Sequence, residues 1–204
     1  MRNNKRRRTV FNNRPFCFSR ITRNLVMTKR KIATIMICRA GIIAALYVAL
    51  TLPFGQLAFG PIQVRPSEAL TILPLFYPEA IAGLYVGCIL VNVISAYGIY
   101  DVLLGSLATL LAAALTYVIG RYVKNKVLKI ALGGIPPVVL NAFLVPAVWL
   151  LAGNDIAYWL EVGIMALNEA IWVYALGIPL YVAFDKLVTK GSKGLVPYKL
   201  VKEK

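Results

Sequence analysis

Ile62-Gln-Val-Arg65-Pro-Ser67-Glu68-Ala-Leu-Thr-Ile-Leu-Pro74-Leu-Phe-Tyr77-Pro78-Glu79 is a stretch that places charged side chains and prolines inside an otherwise apolar sequence. Ionisable side chains are costly in a bilayer, so those present usually face a cavity, a partner or a substrate. Glu68 also has a structural interpretation, because it lies in the first turn of a short helix that Ser67 can cap. Pro74 and Pro78 allow only a short or broken helix. We interpret the stretch as one wall of a binding site.

The sequence around this stretch has the composition of a polytopic membrane protein. Of its 204 residues, 59% are hydrophobic, and the mean hydropathy is +0.71. Several apolar runs approach the roughly 20 residues that a spanning helix needs. The alternation typical of outer-membrane barrels is absent, and only helices and closed barrels satisfy the backbone in lipid. The sequence therefore predicts an all-α membrane protein.

The formal net charge of +15 is concentrated in three segments. Of 23 Lys and Arg residues, eleven lie in residues 1–31, four in Arg121–Lys129 and six in Lys186–Lys204. The positive-inside rule places such residues on cytoplasmic flanks, where they also attract anionic membrane lipid. This distribution indicates a topology signal and argues against nucleic-acid binding.

The three basic segments also indicate how many helices cross the membrane. After a first span at about Ala33–Phe54, the apolar runs are about Glu79–Ser95, Val102–Gly120, Ile130–Leu151 and Ala157–Phe184. If Ser67–Tyr77 also crosses, all three basic segments fall on one side of the membrane. We therefore predict a compact six-helix bundle with a short, embedded second helix and both termini in the cytoplasm.

Both ends of the chain are predicted to be tails around a transmembrane substrate-binding domain at 32–187. Residues 1–31 are basic and lack an apolar core, which excludes a secretory signal and is typical of disorder. Met27 precedes a sufficient basic anchor, so we predict that translation starts there and that residues 1–26 are not made naturally. Residues 188–204 are predicted to be a basic cytoplasmic tail.

The predicted topology gathers polar residues at the outer end of the bundle. The residues placed in its outer half or mouth are Arg65, Glu68, Asn92, Asp101, Glu161 and Asn168, with Asn141 near the middle of the fifth helix and Trp149 near its outer end. Asp101 has two open interpretations, a cavity role and a cap of the fourth helix.

The sixth helix carries a polar face. Glu161, Met165, Asn168 and Trp172 share this face, and Glu169 lies beside it. A carboxylate, an amide and an indole on one stripe suit a planar, hydrogen-bonding ring. For Asn168 alone, an interhelical polar clamp is the competing interpretation. For Glu161 and Glu169, ligand contact is favoured.

Small residues recur at four-residue spacing in the first span. They form the sets Ala40/Ala44 and Gly41/Ala45/Ala49. Such a stripe lets another helix approach closely. On spacing alone, a contact within the chain is favoured over a partner protein.

Catalytic and metal-binding motifs are weak or missing. The chain has no His, which removes the commonest general base and most zinc sites, and no metal or cofactor is predicted. No phosphate-binding loop is present, and Gly133-Gly134 before Pro136-Pro137 indicates a helix break. An intramembrane enzyme that uses two carboxylates sharing a proton stays open as an alternative.

Three runs give the chain a family resemblance. Arg39–Thr51, Ile62–Phe76 and Pro78–Asn92 resemble the QueT family, the substrate-binding S components of energy-coupling-factor (ECF) vitamin transporters that are assigned to queuosine precursors. The resemblance covers about Lys29 to Lys190. Arg65-Pro-Ser-Glu68-Ala-Leu is its most specific part.

The resemblance implies a six-helix S component in the cell (plasma) membrane that opens to the outside. The substrate would lie near the external face, under the loop between the first two helices. The family's Ala-x-x-x-Ala pattern, matched by Ala40/Ala44 and Ala45/Ala49, would dock a transmembrane coupling protein driven by two cytoplasmic ATPases, which reverses the preference for internal packing. The chain itself would be a transporter subunit and no enzyme, and transport would proceed by toppling of the S component.

A 7-deazaguanine such as preQ1 or preQ0 suits the polar residues. Its pyrimidine edge offers a donor pair to a carboxylate, its faces can stack on aromatic rings, and a cationic aminomethyl group favours a second carboxylate. The expected contacts are Glu68 or Glu161 on the ring edge, Asn92, Asn141 and Asn168 as amide partners, Trp149 or Trp172 for stacking, and Arg65 as a gate or carbonyl contact. The alternatives are an S component for another small vitamin or base, the intramembrane enzyme, and a scaffold that only recruits partners.

Overall fold

The computed structural model describes residues 29–60, 62–155 and 157–190, with side chains from residue 32 onward. The predicted start at Met27 and nearly all of both predicted tails lie outside these residues. Within them the chain is helical and contains no strand. This confirms the predicted all-α class.

The helices follow one another with short breaks. In chain order they are α1 (Lys29–Thr51) with a 3-10 continuation (Leu52–Ala58), the central 3-10 helix (Pro66–Leu75), α2 (Glu79–Asn92), a π-helical turn (Asp101–Gly105) leading into α3 (Ser106–Tyr122), α4 (Lys126–Gly133), α5 (Ile135–Leu151), α6 (Tyr158–Ala170), a second π-helical stretch (Ile171–Leu176) and α7 (Gly177–Thr189).

Four helical segments in the described part of the chain are long and apolar enough to cross a membrane. They are Ile32–Ala58, Asp101–Tyr122, Lys126–Leu151 and Tyr158–Thr189, while Glu79–Asn92 is apolar but shorter. The class of integral membrane protein is therefore confirmed. The count of six crossings stays a prediction.

The central 3-10 helix lies inside the bundle, since all of its residues from Ser67 to Leu75 are buried. As the prolines predict, it is short. Two close approaches hold its C-terminal end. A Cβ on Gly120 of α3 would lie 2.7 Å from the Leu75 Cα atom, and one on Gly133 would lie 2.9 Å from the Leu75 side chain. Glycines therefore let α3 and α4 close around this helix.

Small residues also bring α1 and α2 together. A Cβ on Gly83 would lie 2.7 Å from the backbone oxygen of Ala40, and one on Gly87 would lie 3.1 Å from that of Ala44. The backbone of the first predicted docking pair, Ala40/Ala44, therefore lies against α2. The other set, Gly41/Ala45/Ala49, is exposed.

Charged and aromatic contacts bring the start of α4 and the end of α7 together at one end of the bundle, which we call the basic end. Lys126 Nζ lies 2.7 Å from Asp185 Oδ2 and joins the start of α4 to the end of α7. Arg39 donates to Glu79 Oε1 at 2.8 Å and stacks on Tyr77, whose ring contacts Phe184 of α7. The start of α2 and the end of the central 3-10 helix therefore lie at this end too.

Candidate functional site

An ion pair between Arg65 and Glu68 lies near the centre of the bundle. Arg65 Nε is 3.7 Å from Glu68 Oε1, and the two side chains are 6% and 1% exposed. Tyr47 of α1 is fully buried; it donates to Glu68 Oε1 at 2.6 Å and accepts from Arg65 Nη2 at 3.2 Å. The phenol thus lies between the two charges and ties α1 to the central 3-10 helix.

On the α2 side, Arg65 reaches Asn92 and Cys88. Its Nη2 donates to Asn92 Oδ1 at 3.4 Å and approaches Cys88 Sγ at 3.9 Å. Asn92 Nδ2 donates to the Asp101 carbonyl at 2.9 Å, and Thr109 of α3 donates to the Cys88 sulfur at 3.2 Å. Asn92 therefore holds both Arg65 and the π-helical turn before α3.

On the opposite side, the network continues into α5 and α6. Asn141 Nδ2 donates to Glu169 Oε1 at 2.7 Å, and both residues are buried. The Glu169 carboxyl also lies close enough to Glu68 and Arg65 to interact with them electrostatically.

The network is incompletely satisfied. Among the described residues, no donor reaches Glu68 Oε2 or Glu161 Oε2, and no acceptor forms a hydrogen bond with Arg65 Nε, although these atoms are buried. A buried polar atom without a partner costs about 1–3 kcal/mol, and native structures rarely keep several together without a reason. These atoms are the unsatisfied polar positions of the bundle interior among the described residues.

A second polar contact closes the loop before Arg65. Asn168 Nδ2 and Trp172 Nε1 both donate to the backbone oxygen of Gln63, at 2.6 Å and 3.0 Å. Gln63 is 4% exposed, so its carbonyl depends on these donors. Asn168 of α6 and Trp172 of the π-helical stretch that follows therefore hold the loop that leads to Arg65.

We expect Asn168→Leu and Trp172→Phe to be strongly non-additive. In either single variant the Gln63 carbonyl keeps one donor, so the free energy of unfolding should change little. The double variant leaves a buried carbonyl unsatisfied and should cost about 1–3 kcal/mol more than the sum of the singles. Thermal unfolding of the four proteins in detergent measures this, and additive losses would contradict the shared-carbonyl arrangement.

An aromatic wall lies beside the network. Trp149 packs against Met165 in a buried apolar cluster, and its ring centroid is 6.0 Å from that of Tyr97. Burial raises the pKa of the Tyr97 phenol, and the carboxylates of Asp101 and Glu161 add to that shift. Tyr97 is therefore a neutral donor at physiological pH, next to two carboxylates.

The structure brings most of the sequence-predicted residues into one region. Those joined in the network are Arg65, Glu68, Asn92, Asn141 and Glu169, with the Asp101 carbonyl as an acceptor. Trp149 and Glu161 lie at its edge. Asn168 and Trp172 instead bind the Gln63 carbonyl, so the clamp interpretation describes their contacts in this structure. On α6 the buried residues are Met165 and Glu169, which makes Glu169 central where the sequence placed it beside the face.

Sequence reasoning missed Tyr47, Gln63 and Cys88. Tyr47 could have been found, because it shares the inward face of α1 with Ala44 and Thr51 at helical spacing. Gln63 acts through its backbone, which no side-chain pattern reports. Cys88 has no metal-ligand spacing, and its role as a buried sulfur acceptor depends on α3 lying beside it.

A multi-helix membrane protein that buries an incompletely satisfied charged network between its helices has a feature typical of membrane proteins with a substrate or ion pathway, as transporters have. The sequence model of the QueT transporter family matches residues 37–186. The chain therefore belongs to the QueT transporter family, a family of transporters and not of enzymes.

One relative adds detail. The queuosine precursor transporter QueT of Lactococcus lactis subsp. cremoris (strain MG1363) is 38% identical over 88 residues, which is 42% of this chain and 52% of that protein. The chain thus matches about half the length of this curated relative. No solved structure matches the chain.

Proposed function

We propose that this chain is the substrate-binding (S) component of an ECF-type ABC importer in the plasma membrane, and that it captures a 7-deazaguanine queuosine precursor from outside the cell. A transmembrane coupling protein and two cytoplasmic ATPase subunits supply the energy. The main support for the proposal is the buried network around Arg65 and Glu68. It leaves polar atoms without hydrogen-bond partners among the described residues of a QueT-family chain. The name of the Lactococcus relative supports the substrate class.

The six-crossing topology is part of this proposal. The central 3-10 helix follows Arg65, which contacts Asn92 at the far end of α2, and it ends two residues before Tyr77 at the basic end. Ten residues at about 2.0 Å each extend about 20 Å, less than the roughly 30 Å hydrocarbon core, so this helix crosses only inside a shell of longer ones. With the basic end in the cytoplasm, both termini are cytoplasmic and the network opens outward.

Substrate contacts follow from the unfilled positions. Glu68 Oε2 or Glu161 Oε2 accepts from the pyrimidine edge of the base, and Arg65 Nε donates to its carbonyl oxygen. Trp149 and Tyr97 supply an aromatic wall. Asn168 and Trp172 act through the Gln63 carbonyl, so that the loop closes over the bound ring.

The coupling protein is proposed to dock on the exposed stripe of Gly41, Ala45 and Ala49. Small residues on a lipid-facing helix allow another helix to approach closely. Ala40 and Ala44 lie on another side of α1, in its contact with α2, and this contact fixes the position of α1 in the bundle.

Equilibrium binding tests the substrate class. We expect the purified, detergent-solubilised chain to bind preQ1 with nanomolar affinity, about −12 kcal/mol, since a preformed site is needed for such a small ligand. PreQ0, queuine and guanine test the class, and riboflavin and folate serve as controls. Binding of a control vitamin alone would favour an S component for another substrate. Binding of none of these compounds would remove the queuosine assignment.

A further inference from the structure

We propose that Tyr47 is a positioning residue for ligand capture, because its phenol lies between Arg65 and Glu68 and prevents them from closing into a direct pair. The hydrogen-bonding positions that a ligand needs therefore stay open on both partners. This inference rests on the proposed function and adds a residue of α1 to the site.

The phenol of Tyr47 uses both of its hydrogen-bonding functions on the charged pair. It donates to Glu68 Oε1 at 2.6 Å, a length typical of a hydroxyl bound to an ionised carboxylate, and it accepts from Arg65 Nη2 at 3.2 Å. Tyr47 is fully buried, so these bonds are shielded from solvent. The phenol therefore fixes one oxygen of the carboxylate and one nitrogen of the guanidinium group.

The direct contact between the two charges is long. Arg65 Nε is 3.7 Å from Glu68 Oε1, which is beyond hydrogen-bonding distance. An arginine and a carboxylate that meet without such a spacer commonly form two parallel hydrogen bonds, which use both carboxylate oxygens. Here Glu68 Oε2 and Arg65 Nε have no hydrogen-bond partner among the described residues, although both atoms are buried. These are atoms that the proposed ligand contacts require.

Removal of the hydroxyl alone should let the pair close. In Tyr47→Phe the ring keeps its place in the buried apolar cluster, and the guanidinium group can move onto the carboxylate three residues further along the chain. The direct pair then satisfies Glu68 Oε2 and Arg65 Nε within the protein, and a ligand has to break it in order to bind. The buried charges stay balanced, so stability should change little while affinity falls.

Thr51, one turn further along α1, offers a matched control in the same contact between helices. Its hydroxyl lies 2.6 Å from that of Ser67, and both residues are buried. In the described part of the chain, Thr51 hydrogen-bonds to Ser67 and to the Tyr47 carbonyl, and to neither charge. Thr51→Val removes a partner of a buried hydroxyl, which lowers stability. This variant should therefore unfold at a lower temperature and still bind the ligand as the wild type does.

Isothermal titration of the full chain in detergent with preQ1 tests the inference. We expect the Kd of Tyr47→Phe to be about 10-fold to 100-fold higher than that of the wild type, because the ligand loses hydrogen bonds to charged groups. Thermal unfolding without ligand should show that Tyr47→Phe is no less stable than Thr51→Val. If Tyr47 had only a structural role, affinity would instead fall in step with stability in both variants.

The Glu68→Gln background gives a second measurement. Tyr47 acts on the ligand through Glu68, so without the carboxylate the phenol has no charged pair to hold open. Tyr47→Phe should then weaken preQ1 binding by less than about twofold beyond the loss that Glu68→Gln causes alone, whereas residues that act independently would multiply their effects.

The outcomes separate this inference from the proposed function. If the wild type binds none of the deazaguanines, the proposed function fails and the role of Tyr47 fails with it. If the wild type binds preQ1 and Tyr47→Phe binds it equally well, or if Thr51→Val weakens binding as much as Tyr47→Phe does, the positioning role is refuted while the transporter assignment stands. A fully additive double variant refutes the role as well. So does a Tyr47→Phe chain that does not fold, because the direct pair is expected to keep the bundle stable.

Discussion

Arg65→Met is expected to lower the free energy of unfolding by about 3–5 kcal/mol, because it leaves the Glu68 carboxylate buried without its cation. Methionine keeps most of the volume of the arginine stem, so the loss measures charge and hydrogen bonding more than packing. The Tyr47 phenol and the Asn92 amide oxygen each lose a donor as well. Ligand binding should be lost with the same change, since Arg65 Nε is an open position of the site.

Thermal unfolding in detergent measures the loss of stability in Arg65→Met, and two further variants serve as comparisons. Lys126→Met removes the cation of the exposed pair with Asp185 and should leave stability nearly unchanged. Arg65→Met combined with Glu68→Gln removes both charges and should recover much of the stability, because the uncompensated carboxylate is gone. If Arg65→Met and Lys126→Met have equal effects, the central pair does not hold the bundle together.

Run length and composition were enough to predict the class of fold. Helices of the right length follow from apolar runs, since lipid leaves the backbone no other open arrangement. The short, buried helix from Pro66 to Leu75 follows from prolines within an apolar segment. Its 3-10 form could not be predicted, because it depends on how α3, the second π-helical stretch and α7 pack around it.

The site was predictable in composition but not in connectivity. Arg65 and Glu68 stand out because charges are rare in such sequence. Spacing alone placed Glu169 beside the polar face of α6, whereas burial makes it central. Adjacent residues on one helix can contact different neighbouring elements. Glu169 contacts Asn141 of α5 and Asn168 contacts the loop at Gln63, and these contacts depend on how α5 and the loop pack.

The small residues of α1 show the same limit. Ala40/Ala44 and Gly41/Ala45/Ala49 have the same spacing and composition, so sequence could not assign one set inside and the other outside. The glycines of α2 decide it, because Gly83 and Gly87 lie against Ala40 and Ala44.

Gly87→Leu is expected to prevent α1 and α2 from packing. Even a Cβ at this position would lie 2.8 Å from the Cβ of Tyr47 and 3.2 Å from the Cα of Ala44, so the larger side chain must push the helices apart. Overpacking of this kind costs about 1–3 kcal/mol, and it also displaces Tyr47 from Glu68. We expect a lower unfolding temperature and loss of deazaguanine binding.

Gly41→Leu is the matched change on the other face of the same helix. A Cβ on Gly41 meets nothing within 4 Å, and leucine has the higher helix propensity, so the isolated chain should unfold at the wild-type temperature or above and bind its ligand as before. Co-purification with the coupling protein and ATPases should be lost, because a leucine on this stripe keeps another helix at a distance. If Gly41→Leu leaves assembly intact, the docking surface lies elsewhere on the bundle; if it also abolishes ligand binding, the two faces of α1 are not separate. The pair of variants thus distinguishes the residues that shape the site from those that connect it to a motor.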